Sequence, residues 1–217
     1  MKSRFKTSET EIKHIIIALI ALAVAFSFVL FDKEIFRTGS FFSYAPQYFF
    51  YTLIAVGFAF VLHELAHKFV AQRYGFWAEF RMWPAGLFFA VLMAFVFKGG
   101  FVFAAPGATM IAPVKETKNG FAIKKIHITS EKMGKISLAG PITNNILALA
   151  FIALSMLAPL KVFETGAYVN SWLAIFNLLP FAVLDGKKIW TWNKGIWISA
   201  MLLSIGLFII SGFVGAV

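Results

Sequence analysis

Two histidines and a glutamate, His63, Glu64 and His67, stand close together inside an apolar run from about Tyr48 to Ala71. Residues four apart share one face of a helix, so both imidazoles can bind a single metal ion while Glu64 handles protons beside them. Ionisable side chains are costly in a bilayer and are kept there mainly for function. The pattern therefore predicts the ligand geometry of a zinc hydrolase. The alternative is a histidine pair satisfied in a polar network between helices.

A third metal ligand must come from elsewhere in the chain, because catalytic zinc sites usually have three protein ligands and one open position for water. The sequence has no cysteine, which leaves His, Asp and Glu as ligand types. Asp185 is the best candidate, since the other acidic residues lie in loops or near the ends of the apolar runs.

Composition indicates an integral membrane protein. The chain has 217 residues, of which 60% are hydrophobic and only 14% charged, which is too apolar for a soluble domain. We expect a single domain over residues 1–217 with a catalytic core at about 48–190. The net charge of +10 fits cytoplasmic loops beside anionic lipid, and we expect no binding of nucleic acid.

The apolar runs predict an all-α polytopic fold. One run, Ala85–Phe97, spans only about 20 Å as a helix, less than the roughly 30 Å of a hydrocarbon core, so we expect a re-entrant segment there. Longer runs predict about five transmembrane helices, at about Ile15–Phe31, Tyr48–Ala71, Gly140–Leu157, Gly166–Leu184 and Ile196–Phe213. Pro141 would occupy the first turn of the third span.

A small membrane-associated β region is expected after the second span. Phe101–Pro113 resembles a strand, with Pro106-Gly107 as a turn signal. After the turn signal Asn119-Gly120, apolar and polar residues alternate over Phe121–Thr129, as in a half-buried strand.

The distribution of positive charge predicts the orientation. With five spans and a cytoplasmic N-terminus, 17 of the 20 lysines and arginines lie on the cytoplasmic side. If the short apolar segment also crossed the membrane, only 8 would do so. The positive-inside rule favours the first arrangement, which also brings the inner ends of spans 2 and 4, and hence His67 and Asp185, to the same side.

Three pieces of the sequence together resemble the site-2 protease family of intramembrane zinc metalloproteases. These are His63-Glu64-Leu65-Ala66-His67, then Gly140-Pro141-Ile142-Thr143-Asn144, then Asn177 and Pro180 leading to Leu184-Asp185-Gly186. The resemblance covers the chain from span 2 to span 4. Lys187 departs from it, because many relatives have a second glycine at that position.

The resemblance implies one Zn²⁺ per chain held by His63, His67 and Asp185, with Glu64 as the base and acid that activates a zinc-bound water. It implies hydrolysis of peptide bonds in or near the transmembrane segments of substrate proteins, close to the cytoplasmic face. We expect the protein to lie in the cell membrane of a prokaryote, with its N-terminus and the opening of its site toward the cytoplasm.

Two amides within the predicted spans are candidates for substrate contact. A transmembrane helix must unwind locally before hydrolysis, and Asn144 and Asn177 could bind the freed peptide groups. Asn177 lies two helical turns before Asp185, so the two would share one face of span 4, which Pro180 would kink by freeing the Phe176 carbonyl. Ordinary hydrogen bonding between helices is the alternative for both amides.

Three other functions fit the same residues. A metal transporter or sensor could use the same His/Asp site, a zinc hydrolase could act on a non-peptide membrane substrate, and an inactive scaffold could bind transmembrane helices. Glu64 discriminates between a hydrolase and the transporter or sensor, because only a hydrolase requires a proton acceptor at that position. The products formed from transmembrane peptides would identify a non-peptide hydrolase, and an inactive scaffold predicts no bound zinc.

Overall fold

The computed structural model of the protein describes residues 7–30, 40–117, 120–123, 127–181 and 183–214. Helices dominate these residues. In chain order they are α1 (Glu9–Ser27), α2 (Phe41–Val56), α3 (Leu62–Arg73), α4 (Pro84–Val96), α5 (Ser130–Leu157), α6 (Lys161–Leu178), α7 (Asp185–Trp192) and α8 (Lys194–Val214). A 3₁₀ turn, Phe28–Leu30, extends α1, and a π-helical segment, Gly57–Val61, joins α2 to α3.

Four helices in the described part of the chain are long and apolar enough to cross a membrane. They correspond to predicted spans 1, 2, 3 and 5, and they run over Glu9–Leu30, Phe42–Arg73, Ser130–Leu157 and Lys194–Phe213. The predicted count of five is not confirmed, because α6 carries charged residues in its first turn and amides further along, which make it more polar than the other four. The short apolar segment forms α4, a helix of 13 residues.

The predicted fourth span is wrong at its C-terminal end. Helix α6 ends at Leu178, and Leu179 has an extended backbone with φ −59° and ψ 132°. The residue before a proline is driven out of the helical region by the proline ring, and Leu179 precedes Pro180. Asp185 therefore opens a separate helix, α7, and does not share a helical face with Asn177. The Phe176 carbonyl accepts the Leu179 N–H at 3.2 Å, so it is not left free.

The predicted start of the third span is also wrong. Helix α5 begins at Ser130, where the Thr129 side chain caps it by accepting the Lys132 N–H at 3.3 Å. Pro141 lies inside this helix, not in its first turn. Proline has no N–H, so it leaves the carbonyl four residues earlier without its helical partner, and that residue, Ser137, borders the cavity described below.

Four short strands form two antiparallel pairs. Strand β1 (Trp77–Met82) pairs with β2 (Gly107–Ala112), and β3 (Val114–Thr117) pairs with β4 (Gly120–Ile123). The small β region is thus present, with β2 inside the predicted stretch and β4 at the start of the second one. Strands β1 and β3 lie outside both predicted stretches. The turn residue Asn119 and residues 124–126 lie outside the described part of the chain.

Helix α3 packs against a helix and a pair of strands. It contacts α5 on one side and the β1–β2 pair on the other, while α7 lies against α5. The main apolar core joins α1, α2, α4 and α6 through Leu22, Phe26, Val56, Leu87, Val169 and Phe176. This packing fixes the helix that carries the paired histidines.

Candidate metal centre

Three metal-binding side chains converge in the structure. His63 and His67 lie on consecutive turns of α3, and Asp185 is the first residue of α7. Asp185 Oδ2 lies 3.3 Å from His63 Nε2 and 2.8 Å from His67 Nε2, and the two Nε2 atoms are 3.0 Å apart. All three residues are buried. The four-residue spacing puts both imidazoles on one face of α3. Because α6 ends at Leu178, Asp185 starts a separate helix and its carboxylate lies beside the imidazoles.

This donor set fits zinc. Ligand atoms about 2.0–2.2 Å from a tetrahedral zinc ion stand roughly 3.3–3.6 Å from one another, and the separations of 3.3, 2.8 and 3.0 Å observed here lie at or somewhat below this range. Space for the ion comes from Gly140, where a Cβ atom would lie 2.5 Å from the Nε2 atoms of both His63 and His67. Two imidazoles and one carboxylate also match the ligand types of catalytic zinc sites, which keep one position open.

The other nitrogen of each imidazole has a buried acceptor. His63 Nδ1 lies 2.5 Å from Asn144 Oδ1, and His67 Nδ1 lies 2.7 Å from the Ile136 carbonyl. Both acceptors require a proton on Nδ1, so the lone pair of each Nε2 atom is available to a metal. These contacts fix the tautomer and the ring plane of both histidines before a metal binds.

Asn144 is oriented by its own partners. Its Nδ2 atom donates to the Ala59 carbonyl at 2.8 Å and to Asn170 Oδ1 at 3.1 Å, which leaves Oδ1 to accept from His63. Ala59 lies in the π-helical segment just before the histidines, and such segments are frequent at functional sites. The amide therefore joins α5, α6 and this segment behind the His63 ring.

Asn144 was predicted to contact substrate, but it does not lie at the cavity. Its side chain is 0% exposed, and it does not border the cavity at the metal centre. Its hydrogen bonds support the alternative of hydrogen bonding between helices, with His63 as one partner. Asn170, which completes this network, was missed by the sequence analysis, although an amide inside an apolar helix is itself a signal.

Glu64 lies beside the metal-binding group and is 8% exposed. Its Oε2 atom accepts a hydrogen bond of 2.6 Å from the Thr109 hydroxyl on β2. The sequence analysis missed Thr109, because the two residues are 45 positions apart and no local pattern links them. The carboxylate thus has a defined orientation next to the two histidines.

A cavity of about 400 Å³ opens beside the three ligands and Glu64. Asn177 borders it, with its Nδ2 atom donating to the Leu173 carbonyl at 3.0 Å. Much of the remaining wall is apolar, including Met82, Trp83, Ala105, Met110, Ile111, Val183 and Leu184. Lys188 also borders the cavity and lies 3.4 Å from Asp185 Oδ1. The cavity can hold an apolar side chain next to the metal-binding group.

Comparison with known proteins places the chain in a family. A protein of Methanocaldococcus jannaschii that carries the provisional name zinc metalloprotease is 37% identical to it over 211 residues, which cover 94% of this chain and 95% of that protein. The chain belongs to this zinc metalloprotease family. No family model and no solved structure matches it. The zinc metalloprotease family and the His63, His67 and Asp185 group agree on zinc as the cofactor.

Proposed function

We propose that the chain is an intramembrane zinc endopeptidase of the site-2 protease type. One observation carries the proposal. The two histidines and Glu64 lie on α3, within the candidate membrane span Phe42–Arg73, and Asp185 meets them at a largely apolar cavity. Buried ionisable residues in such a span indicate a functional site. We assign His63, His67 and Asp185 as ligands of one zinc ion.

Glu64 is assigned as the catalytic base and acid. Zinc, when bound, supplies a Lewis acid that acidifies a water molecule and polarises a carbonyl group. Glu64 removes a proton from the attacking water and returns it to the leaving amine. The apolar cavity wall excludes other water, and the contacts of His63 and His67 keep the two ligands in place during the reaction.

The substrate is proposed to be a membrane protein with a transmembrane segment, which must unwind before its peptide bonds become accessible. The outer edge of β1 is occupied, because the N–H of Phe80 donates to Glu11 at 3.0 Å and that of Met82 donates to His14 at 3.4 Å. Strand β2 borders the cavity along Gly107–Ile111. We propose that the unwound segment adds to β2 as a further strand and contacts Asn177.

The proposed location is the cell membrane of a prokaryote, with the N-terminus and the opening of the cavity toward the cytoplasm. The asymmetry of lysine and arginine along the chain supports this orientation. The lipid bilayer is then a partner of the protein in addition to its substrate. Residues 48–190 form the proposed catalytic core of a single domain.

The proposal is tested by measuring bound zinc together with cleavage of a membrane-embedded peptide. Wild type should bind zinc and cleave the peptide, Glu64→Gln should bind zinc without cleaving it, and Asp185→Ala should lose zinc. A Glu64→Gln variant that cleaves at the wild-type rate would refute the role of Glu64. A wild-type protein that binds zinc but cleaves no transmembrane peptide would refute the peptidase.

A further inference from the structure

Helix α3 presents two adjacent stripes of ionisable side chains. His63 and His67 point to the metal centre, while Glu64 and Lys68, also four residues apart, share the neighbouring face. Both residues of the second stripe are buried, with Lys68 only 1% exposed. Glu64 has the proposed proton-transfer role, and Lys68 takes no part in it.

Lys68 is paired with a carboxylate from the N-terminal helix. Its Nζ atom contacts Glu11 Oε2 on α1, and it also donates to the Thr7 hydroxyl at 3.2 Å. Glu11 is likewise 1% exposed, and its other oxygen accepts the Phe80 N–H of β1. A buried pair of this kind contributes little net stability but penalises any arrangement that separates its members. Glu11 therefore fastens β1 to both α1 and α3.

The pairing of β1 with β2 links Glu11 to Glu64 on helix α3. Phe80 on β1 stands opposite Thr109 on β2, and the Thr109 hydroxyl donates to Glu64 Oε2. The hydroxyl lies 2.6 Å from this carboxylate oxygen. The chain of contacts thus leaves α3 at Lys68, passes through Glu11, Phe80 and Thr109, and returns to α3 at Glu64.

We propose that Thr109 is a positioning residue for Glu64 and that the Glu11–Lys68 pair holds Thr109 in place through β1. The inference rests on the proposed function, because it assigns Glu64 the proton-transfer role. The Thr109 hydroxyl holds Oε2 of Glu64, so the other oxygen is presented for proton transfer in one fixed orientation. The N-terminal helix is then part of the apparatus that positions the base.

The first test compares Thr109→Val with Thr109→Ser in the full-length, zinc-loaded protein. Valine keeps the branched shape of the strand residue but removes the hydroxyl, so kcat should fall about 10- to 100-fold with KM within about twofold. Serine restores the donor and should recover most of the lost kcat. Thr165→Val is the matched control, since the buried Thr165 hydroxyl donates within its own helix, to the Lys161 carbonyl at 2.7 Å. A Thr109→Val enzyme with wild-type kcat would overturn the proposal.

The second test removes the buried pair as a unit. The double substitution Glu11→Leu with Lys68→Met removes both charges of the pair together, so the protein should fold and bind zinc. It also removes the acceptor of the Phe80 N–H, so kcat should fall about 10-fold as Thr109 shifts. Unchanged kcat in the double variant would show that the pair has no positioning role.

A structure of each zinc-loaded Thr109 variant gives a readout that needs no activity. The Glu64 carboxylate should leave β2 in Thr109→Val and remain bonded to it in Thr109→Ser. An unmoved carboxylate in Thr109→Val would overturn the positioning role even if the protein cleaved nothing. Failure of wild type to cleave any transmembrane peptide would instead count against the peptidase alone.

Discussion

Asn144 Oδ1 lies 2.5 Å from His63 Nδ1, although the two residues are 81 positions apart in the chain. This contact fixes the ring plane and tautomer of a proposed metal ligand from a neighbouring helix. Such partners of metal-binding histidines typically change metal affinity by 10- to 100-fold when they are removed. Asn144 therefore belongs to the metal centre, although it is not itself a ligand.

Asn144→Ala should weaken zinc binding by about 10- to 100-fold, because the His63 ring loses its acceptor. Competition with a chromophoric chelator on the purified full-length protein measures the change. Asn145→Ala is the matched control, since the Asn145 side chain is also buried but accepts from Ser204 on α8. That variant should lose stability and keep its zinc affinity. Equal zinc affinity for Asn144→Ala and wild type would contradict the orienting role.

Gly140→Ala should remove most of the bound zinc. The added Cβ atom would lie 2.5 Å from both histidine Nε2 atoms, within the space that the ion needs. Metal analysis of the purified variant measures the loss. Gly206→Ala provides the control, because a Cβ atom there meets nothing within 4 Å. Full zinc occupancy in Gly140→Ala would show that the ion binds elsewhere.

Asn177→Ala should keep its zinc affinity and lose activity, whereas Asn144→Ala should lose zinc affinity. Asn177 borders the cavity and its side chain donates to the Leu173 carbonyl of its own helix, so its removal should leave zinc affinity unchanged. Loss of a substrate hydrogen bond should lower kcat/KM about 5- to 10-fold. Steady-state cleavage of a transmembrane peptide, with zinc analysis in parallel, separates the two asparagines. Wild-type kcat/KM in Asn177→Ala would exclude substrate contact by this amide.

Gly186→Ala should destabilise the protein and displace Asp185. A Cβ atom at Gly186 would lie 1.9 Å from the Leu178 carbonyl oxygen, which is backbone and cannot rotate away. Such overpacking lowers the free energy of unfolding by about 1–3 kcal/mol. Thermal unfolding in detergent with a chelator present measures this without the contribution of zinc. Gly212→Ala should show no loss, because nothing lies within 4 Å of its added Cβ atom.

The fold was predictable where a single segment decides its own structure. Long apolar runs predicted four helices that the structure contains, and the shortness of the run at 85–97 predicted a helix too short to cross. The predictions were wrong at two prolines, because Pro141 was expected in the first turn of a helix and Pro180 was expected to kink a continuous one. Pro141 lies inside α5, whereas Pro180 excludes Leu179 from α6 and separates Asp185 onto its own helix.

The sequence by itself predicted the candidate metal donors, because the spacing of His63 and His67 on a helix places both imidazoles on one face, and few carboxylates besides Asp185 were available in apolar surroundings. Only the tertiary structure decided how those donors are held. Asn144, Gly140, Thr109 and Glu11 reach the site from other elements, over separations of 45 to 85 residues for the asparagine and threonine contacts. Helical periodicity is a local property of the chain, whereas these contacts exist only once α1, β2 and α5 have packed against α3.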